Sequence, residues 1–140
     1  VEMVKDFRAI LPETDFLCLH LPSTPETRDL IGAGELALLK RGAFVLNCAR
    51  GGIVDEDVLC DALESGHVGG AGLDVFAKEP PDTAHRLFRQ EKVLLSPHNA
   101  ALTEECAIRM ATQAVQNVLD CLDGKLQPRV VMNRREIGMA

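Results

Sequence analysis

The chain has no apolar stretch of the about 18 residues that a bilayer-spanning helix needs. Its first residues, VEMVKDFRAI, carry no signal-peptide pattern. A membrane association is therefore not expected, and a cytoplasmic location is. A basic surplus is missing too: the net charge is -6. The one basic cluster, Arg129, Arg134 and Arg135, sits in a tail where a solvated surface accounts for it, so no nucleic-acid partner is expected. The five cysteines, Cys18, Cys48, Cys60, Cys106 and Cys121, form no CxxC, and no histidine is interleaved at metal-ligand spacing. That leaves neither a disulfide framework nor a zinc site, and the thiols are expected to be reduced and mostly buried. Tryptophan and tyrosine are absent, and no internal repeat or low-complexity segment suggests a solenoid or a linker.

What is present is the composition of one ordinary globular domain. The 140 residues are 46% hydrophobic and 26% charged, enough to bury a real core. Short apolar runs alternate with helix-like segments: DFLCLH (15–20), AFVLNCA (43–49), GGAGLDVF (69–76) and KVLLSP (92–97). This is the pattern of βα units around a parallel sheet buried on both faces. Between the second and third runs, DEDVLCDALESG predicts a crossover helix with Asp55 as its N-cap and Gly66 as its left-handed stop. After the fourth, TEECAIRMATQAVQNVLDCLDG predicts an amphipathic helix of about 30 Å, opened by Thr103 and closed by Gly124.

Open parallel sheets bind ligands in the crevice outside the carboxyl ends of their strands, and each predicted strand here runs into chemistry at that end. The first ends at His20, the second at Arg50, the third at Asp74 followed by Glu79, and the fourth at His98. A lone histidine after a strand is more often a loop or capping residue; four such groups at one edge point to a site. Gly51 and Gly52 beside Arg50 permit positive φ and leave room for a ligand, and a guanidinium there can hold a carboxylate through two parallel hydrogen bonds. An anionic substrate is implied. Pro80 and Pro81 stiffen the loop that carries Glu79. If Glu79 meets His98, the carboxylate fixes the imidazole tautomer and makes a proton donor and acceptor for work near neutral pH. Asp74, inside an apolar strand, needs a polar partner from a cofactor or from backbone donors. His20, His67 and His85 are read as structural or surface residues.

HLPSTPETRDLIG, LNCARGGIVDEDVL, GAGLDVFAKEPP and LLSPHNAALTEE, taken together and in order, resemble the motifs of the NAD-dependent D-isomer-specific 2-hydroxyacid dehydrogenases, a family that includes D-3-phosphoglycerate dehydrogenase and glycerate or hydroxypyruvate reductases. The resemblance covers residues 10 to 125. It implies an α/β fold: the second half of a dinucleotide-binding domain, a partial Rossmann-like doubly wound parallel sheet with a long C-terminal helix. Residues 1–124 would be that portion and 125–140 a tail. It makes Arg50 the substrate-carboxylate anchor, His98 the acid/base and Glu79 the residue that orients and tunes it. It places Leu21, Pro22, Cys48, Ala49, Asp74 and Ala100, with Arg50 and His98, around the nicotinamide and its ribose; for Cys48, chemistry at sulfur is not expected.

The implied reaction is hydride transfer between a nicotinamide cofactor and a small anionic D-2-hydroxy or 2-keto acid, with NAD expected and NADP left open. A homodimer of the complete protein is expected. The glycine-rich GxGxxG turn of the family does not occur in these residues, and GAGELA (32–37) follows no apolar strand, so it is read as a chance match. The chain is accordingly expected to lack the phosphate-binding half and the substrate domain, and to be inactive on its own. Two alternatives stand beside the enzyme: a nicotinamide-sensing corepressor-like interaction module, and a phosphite-dehydrogenase-like enzyme. Formate dehydrogenases of this fold carry glutamine where Glu79 stands, which argues against formate.

Overall fold

A computed structural model describes residues 3–139. The four apolar runs form four short strands, β1 (Phe16–Leu19), β2 (Phe44–Asn47), β3 (Gly70–Leu73) and β4 (Val93–Leu95). All pair in parallel and in chain order. Alternation along each strand sends Leu19, Val45, Asn47, Ala71 and Leu73 into the core and Phe16, Cys18, Phe44 and Leu94 to the opposite face.

A right-handed crossover between parallel strands returns on a fixed side of the sheet, so strands added in one direction receive all their crossovers on one face. The helices α1 (Ala33–Leu38) and α2 (Glu56–Glu64) and a 3-10 turn at Arg86–Arg89 occupy those connections. They bury Leu36, Leu59, Cys60, Leu63 and Leu87 with the inward strand residues in one core. These elements cover one face of the sheet; on the other, Phe16 and Leu94 are 63% and 82% exposed among the described residues.

The caps follow the sequence. Asp55 Oδ1 accepts from the backbone N–H groups of Asp57 and Val58, both at 3.1 Å, and Gly66 stops α2 at φ +66°. The segment GAGELA is helical as part of α1, with Glu35 Oε2 accepting from the Gly32 N–H at 3.2 Å; it is no strand-to-helix phosphate turn. The long helix α3 (Glu104–Leu122) begins where Thr103 Oγ1 accepts from Cys106 N, and Gly124 follows it at φ +70°. The chain groups into two compact units, Val1–Ala100 and Ala101–Ala140, so the sheet lies in the first and α3 in the second. A 3-10 turn at Phe7–Glu13 and another at Pro128–Val130 carry no sequence expectation.

The thiols differ from expectation. Cys60 is buried and Cys106 half-buried, but Cys18, Cys48 and Cys121 are exposed; all five are free. Cys18 points to the open sheet face, Cys48 lies past the last paired residue of β2, and Cys121 is on α3, which has no buried residue. Among the described residues no helix is long and apolar enough to cross a membrane, and no group of three His, Cys, Asp or Glu could hold a metal ion.

A Cβ on Gly69, at the entry to β3, would stand 2.4 Å from the backbone oxygen of Gly42. Gly69→Ala is expected to destabilise the chain by about 2 kcal/mol. Gly34→Ala in α1, where an added methyl meets nothing within 4 Å, should stabilise it by about 0.5 kcal/mol through helix propensity. Urea unfolding of the two variants in parallel checks both signs.

Candidate active site

At the carboxyl end of β2, strand pairing stops and side chains take over the backbone's hydrogen bonds. Asn47 Oδ1 accepts from Ala49 N at 3.1 Å, and Asn47 Nδ2 donates to the Arg50 carbonyl at 3.0 Å. Arg50 Nη1 donates to the Ala49 carbonyl at 2.6 Å, which uses one of the five N–H donors of a guanidinium. Gly52 takes the expected positive φ, +73°. Gly51 serves a different purpose from the expected one. A Cβ there would lie 1.7 Å from the Phe76 carbonyl oxygen, so glycine admits a neighbouring backbone and not a ligand.

The loop after β1 is strapped to this turn. Asp29 N donates to Gly52 O at 2.8 Å and Ile31 N to Ile53 O at 3.0 Å, while Thr27 Oγ1 bonds both Thr24 N and Pro22 O at 2.8 Å. Together the two loops line an open crevice of about 480 Å3 with His20, Leu21, Pro22, Ser23, Cys48, Ala49 and Arg50 on its walls. His20, read from sequence as structural, belongs to its wall. His85 is structural: its Nδ1 accepts from Leu87 N at the start of the 3-10 turn. His67 sits at the α2–β3 junction with Nε2 buried and without a partner among the described residues.

Asp74 follows β3 and is 4% exposed. The partners it requires come from the protein: Oδ1 accepts from Ser96 Oγ at 2.5 Å and Asn99 N at 2.8 Å, and Oδ2 from Ala100 N at 2.9 Å. Burial works against its charge, but these bonds, with Ser96 the strongest, outweigh burial and hold the carboxyl below its usual range. The same bonds hold His98 at φ +54°, a left-handed conformation that costs a non-glycine residue about 1 kcal/mol.

Glu79 Oε2 lies 2.9 Å from His98 Nδ1, and its Oε1 accepts from Phe76 N at 3.1 Å. Ala77 N, between them, donates to Glu56 Oε1 at 2.6 Å, so the loop is pinned from the start of α2 as well. The Glu79–Pro80 peptide bond is cis. The hydrogen bond with His98 foremost, and that with Phe76 N next, lower the Glu79 carboxyl below its usual range. An ionised carboxylate only accepts, so Nδ1 carries the hydrogen and Nε2 of a neutral ring is left as a proton acceptor.

Glu79 and His98 are thus brought together, and Asp74 joins the segment bearing His98 and Ala100. Leu21, Pro22, Cys48, Ala49 and Arg50 share the crevice. The Glu79–His98 pair borders a separate, mainly apolar cavity of about 410 Å3 with Phe76, Phe88 and Leu95, whose Phe76 and Phe88 rings stack 6.0 Å apart. Sequence reasoning passed over Asn47, Glu56 and Ser96. Only Asn47 carried a signal, as a polar residue at the inward position of an apolar strand.

The apolar sides of Leu21 and Pro22 and the small Cys48 and Ala49 could seat the flat ring end of a nicotinamide cofactor, and Arg50 in the same crevice could meet an anion beside it. No glycine-rich phosphate turn occurs among the described residues. Sheet and strand-end chemistry define an NAD-binding domain of the Rossmann type found in dehydrogenases. The chain belongs to the D-isomer specific 2-hydroxyacid dehydrogenases: the profile of that family's NAD binding domain matches residues 1–100. The D-3-phosphoglycerate dehydrogenase of Methanocaldococcus jannaschii is 40% identical over 131 residues, covering 94% of this chain and 25% of that protein. The glyoxylate reductase of Aeropyrum pernix is 42% identical over 133 residues, covering 93% and 40%. The NAD-complexed crystal structure of a D-isomer specific 2-hydroxyacid dehydrogenase from Lactobacillus delbrueckii ssp. bulgaricus superposes with a TM-score of 0.81 at 33% identity, covering 91% of this chain and 43% of that one. The chain therefore spans between a quarter and two fifths of the length of these two relatives.

Because Glu79 ionises more readily in the folded chain than in an unfolded one, its stabilising contribution is present above the usual glutamate range, about 4.3, and fades as pH falls through its depressed value. Carbon-13 NMR titration of the Glu79 carboxyl should give a midpoint below that range. In His98→Ala the midpoint should move back up. Equal midpoints in the two proteins would dissolve the pair.

Proposed function

We propose that this chain forms the catalytic wall of a D-2-hydroxyacid dehydrogenase that interconverts a small anionic 2-hydroxy acid and its 2-keto acid. Family membership supports the reaction class; the 2.9 Å contact between His98 Nδ1 and Glu79 Oε2 is the observation that carries the mechanism. Leu21, Pro22, Cys48 and Ala49 would hold the nicotinamide end of the cofactor, with Ala100 and Asp74 on the His98 side. When bound, the cofactor supplies the acceptor or donor of the hydride at the substrate's C2.

The remaining work falls to side chains of this chain. Arg50 binds the substrate carboxylate through parallel N–H···O bonds and draws electron density from the neighbouring carbonyl. In the oxidative direction His98 Nε2 takes the hydroxyl proton as the C2–O bond becomes a carbonyl, and in reduction it returns that proton. Glu79 holds the ring in the required tautomer and balances the imidazolium formed. Asp74 and Ser96 keep the His98 segment in place.

In the complete protein carrying this chain, turnover of a panel of 2-keto acids with reduced NAD tests the reaction. Cofactor binding without turnover would favour the nicotinamide-sensing module instead. Arg50→Lys is expected to lower kcat/KM for the keto acid by about a hundredfold while leaving the cofactor Kd nearly unchanged, since a point-charge ammonium does not reproduce a two-pronged clamp. An unchanged kcat/KM removes Arg50 from the site.

On the same reading the 140 residues alone bind NAD weakly and turn over nothing. Pyrophosphate affinity in this fold comes from a glycine-rich turn at a helix N-terminus, and these residues supply none. Arg50 and His98 are also open to solvent, without the water exclusion that strengthens such charges. Calorimetry with NAD and a hydroxypyruvate reduction assay on the 140-residue chain decide it; tight binding or clear turnover would overturn it.

A further inference from the structure

We infer that Asn47 is a positioning residue for Arg50, its buried side-chain amide clamping the turn from which the guanidinium leaves the sheet. The inference rests on the reading of Arg50 as the carboxylate anchor. It begins with register. Across the sheet the row that contains Asn47 runs Leu19, Asn47, Leu73 and Leu95, so one amide interrupts a line of leucines at a position only 3% exposed. Leucine would serve the core better there, because burying an amide costs free energy unless its polar atoms are paired.

The pairs it makes all lie in the turn ahead of it. Oδ1 takes the Ala49 N–H and Nδ2 gives to the Arg50 carbonyl, closing a ring over residues 47 to 50. Its own carbonyl accepts from Asp74 N at 3.0 Å, which ties the turn to the strand end whose carboxylate secures the His98 segment. On the far side the turn is bounded by Gly51 against the Phe76 carbonyl. With the Arg50 carbonyl held from within and the next residue held from without, the direction in which the Arg50 side chain departs is set by Asn47. No substrate or cofactor contact is required of Asn47 itself.

The test is a double-mutant cycle in the complete protein, read as KM for hydroxypyruvate. Asn47→Asp keeps the shape and the acceptor for Ala49 N but turns the donor facing the Arg50 carbonyl into a second acceptor. It should raise KM about tenfold, the cost of one broken buried hydrogen bond, with kcat changed much less. Arg50→Ala should raise KM about a hundredfold. A residue that acts only through Arg50 has nothing left to contribute once the guanidinium is gone, so the double variant should match Arg50→Ala. Asn47→Ser provides the same cycle without a buried charge if the aspartate fails to fold. A wild-type KM in both Asn47 variants, or KM effects that multiply in the double variant, overturns the inference while Arg50 keeps its role. A wild-type KM in Arg50→Ala overturns both.

Discussion

When a parallel strand stops pairing, the backbone groups that follow it still require hydrogen-bond partners. In this chain two buried polar side chains meet that requirement. Asn47 at the end of β2 and Asp74 just past β3 each bond to successive backbone groups of a loop. The loops they hold are those that carry Arg50 and His98. A cost of folding, the burial of an amide and a carboxylate, is thus offset by bonds that also shape the strand-end edge. The backbone bond from Asp74 N to Asn47 O joins the two arrangements.

The edge itself is built from close backbone approach as much as from charge. Gly51 lies against the Phe76 carbonyl at a distance no side chain tolerates. Phe76 N then bonds to Glu79, and Glu79 to His98. A rigid sequence of contacts runs from the Arg50 turn through the 74–79 loop to the imidazole, with the N-terminus of α2 adding a further anchor through Glu56. Such support keeps the proposed acid/base pair in one geometry while it is exposed to solvent. His98 stands in a left-handed backbone conformation between Ser96 and Asn99, both bonded to Asp74.

Electrostatically the site is asymmetric. Glu79 and Asp74 are both held in their charged forms by hydrogen bonds that outweigh burial, whereas the single cation of the crevice, Arg50, is bonded only to its neighbour's carbonyl among the described residues. Two carboxylates therefore serve the protein's own architecture, and the guanidinium's other donors remain for an anion. That division is what the proposed role of Arg50 as a carboxylate anchor would require.

Much of this was legible in the residues. Apolar runs of six to eight residues between capped helical segments require βα units, and Asp55, Gly66, Thr103 and Gly124 act where their intrinsic preferences place them, because caps and periodicity are local. Arg50, Glu79 and His98 were marked by standing at strand ends, which is also a local property. Tertiary structure decided the rest. It brought Glu79 to His98 across a separation of 19 residues, and it gave Asp74 its partners from 22 to 26 residues away. It assigned Gly51 to a neighbouring backbone, and it put α1, α2 and the 3-10 turn at Arg86–Arg89 on one sheet face, because right-handed crossovers between strands added in order all fall on the same side. Propensity acts within a few residues of the chain; a hydrogen bond between loops depends on which strands lie side by side, and only packing sets that.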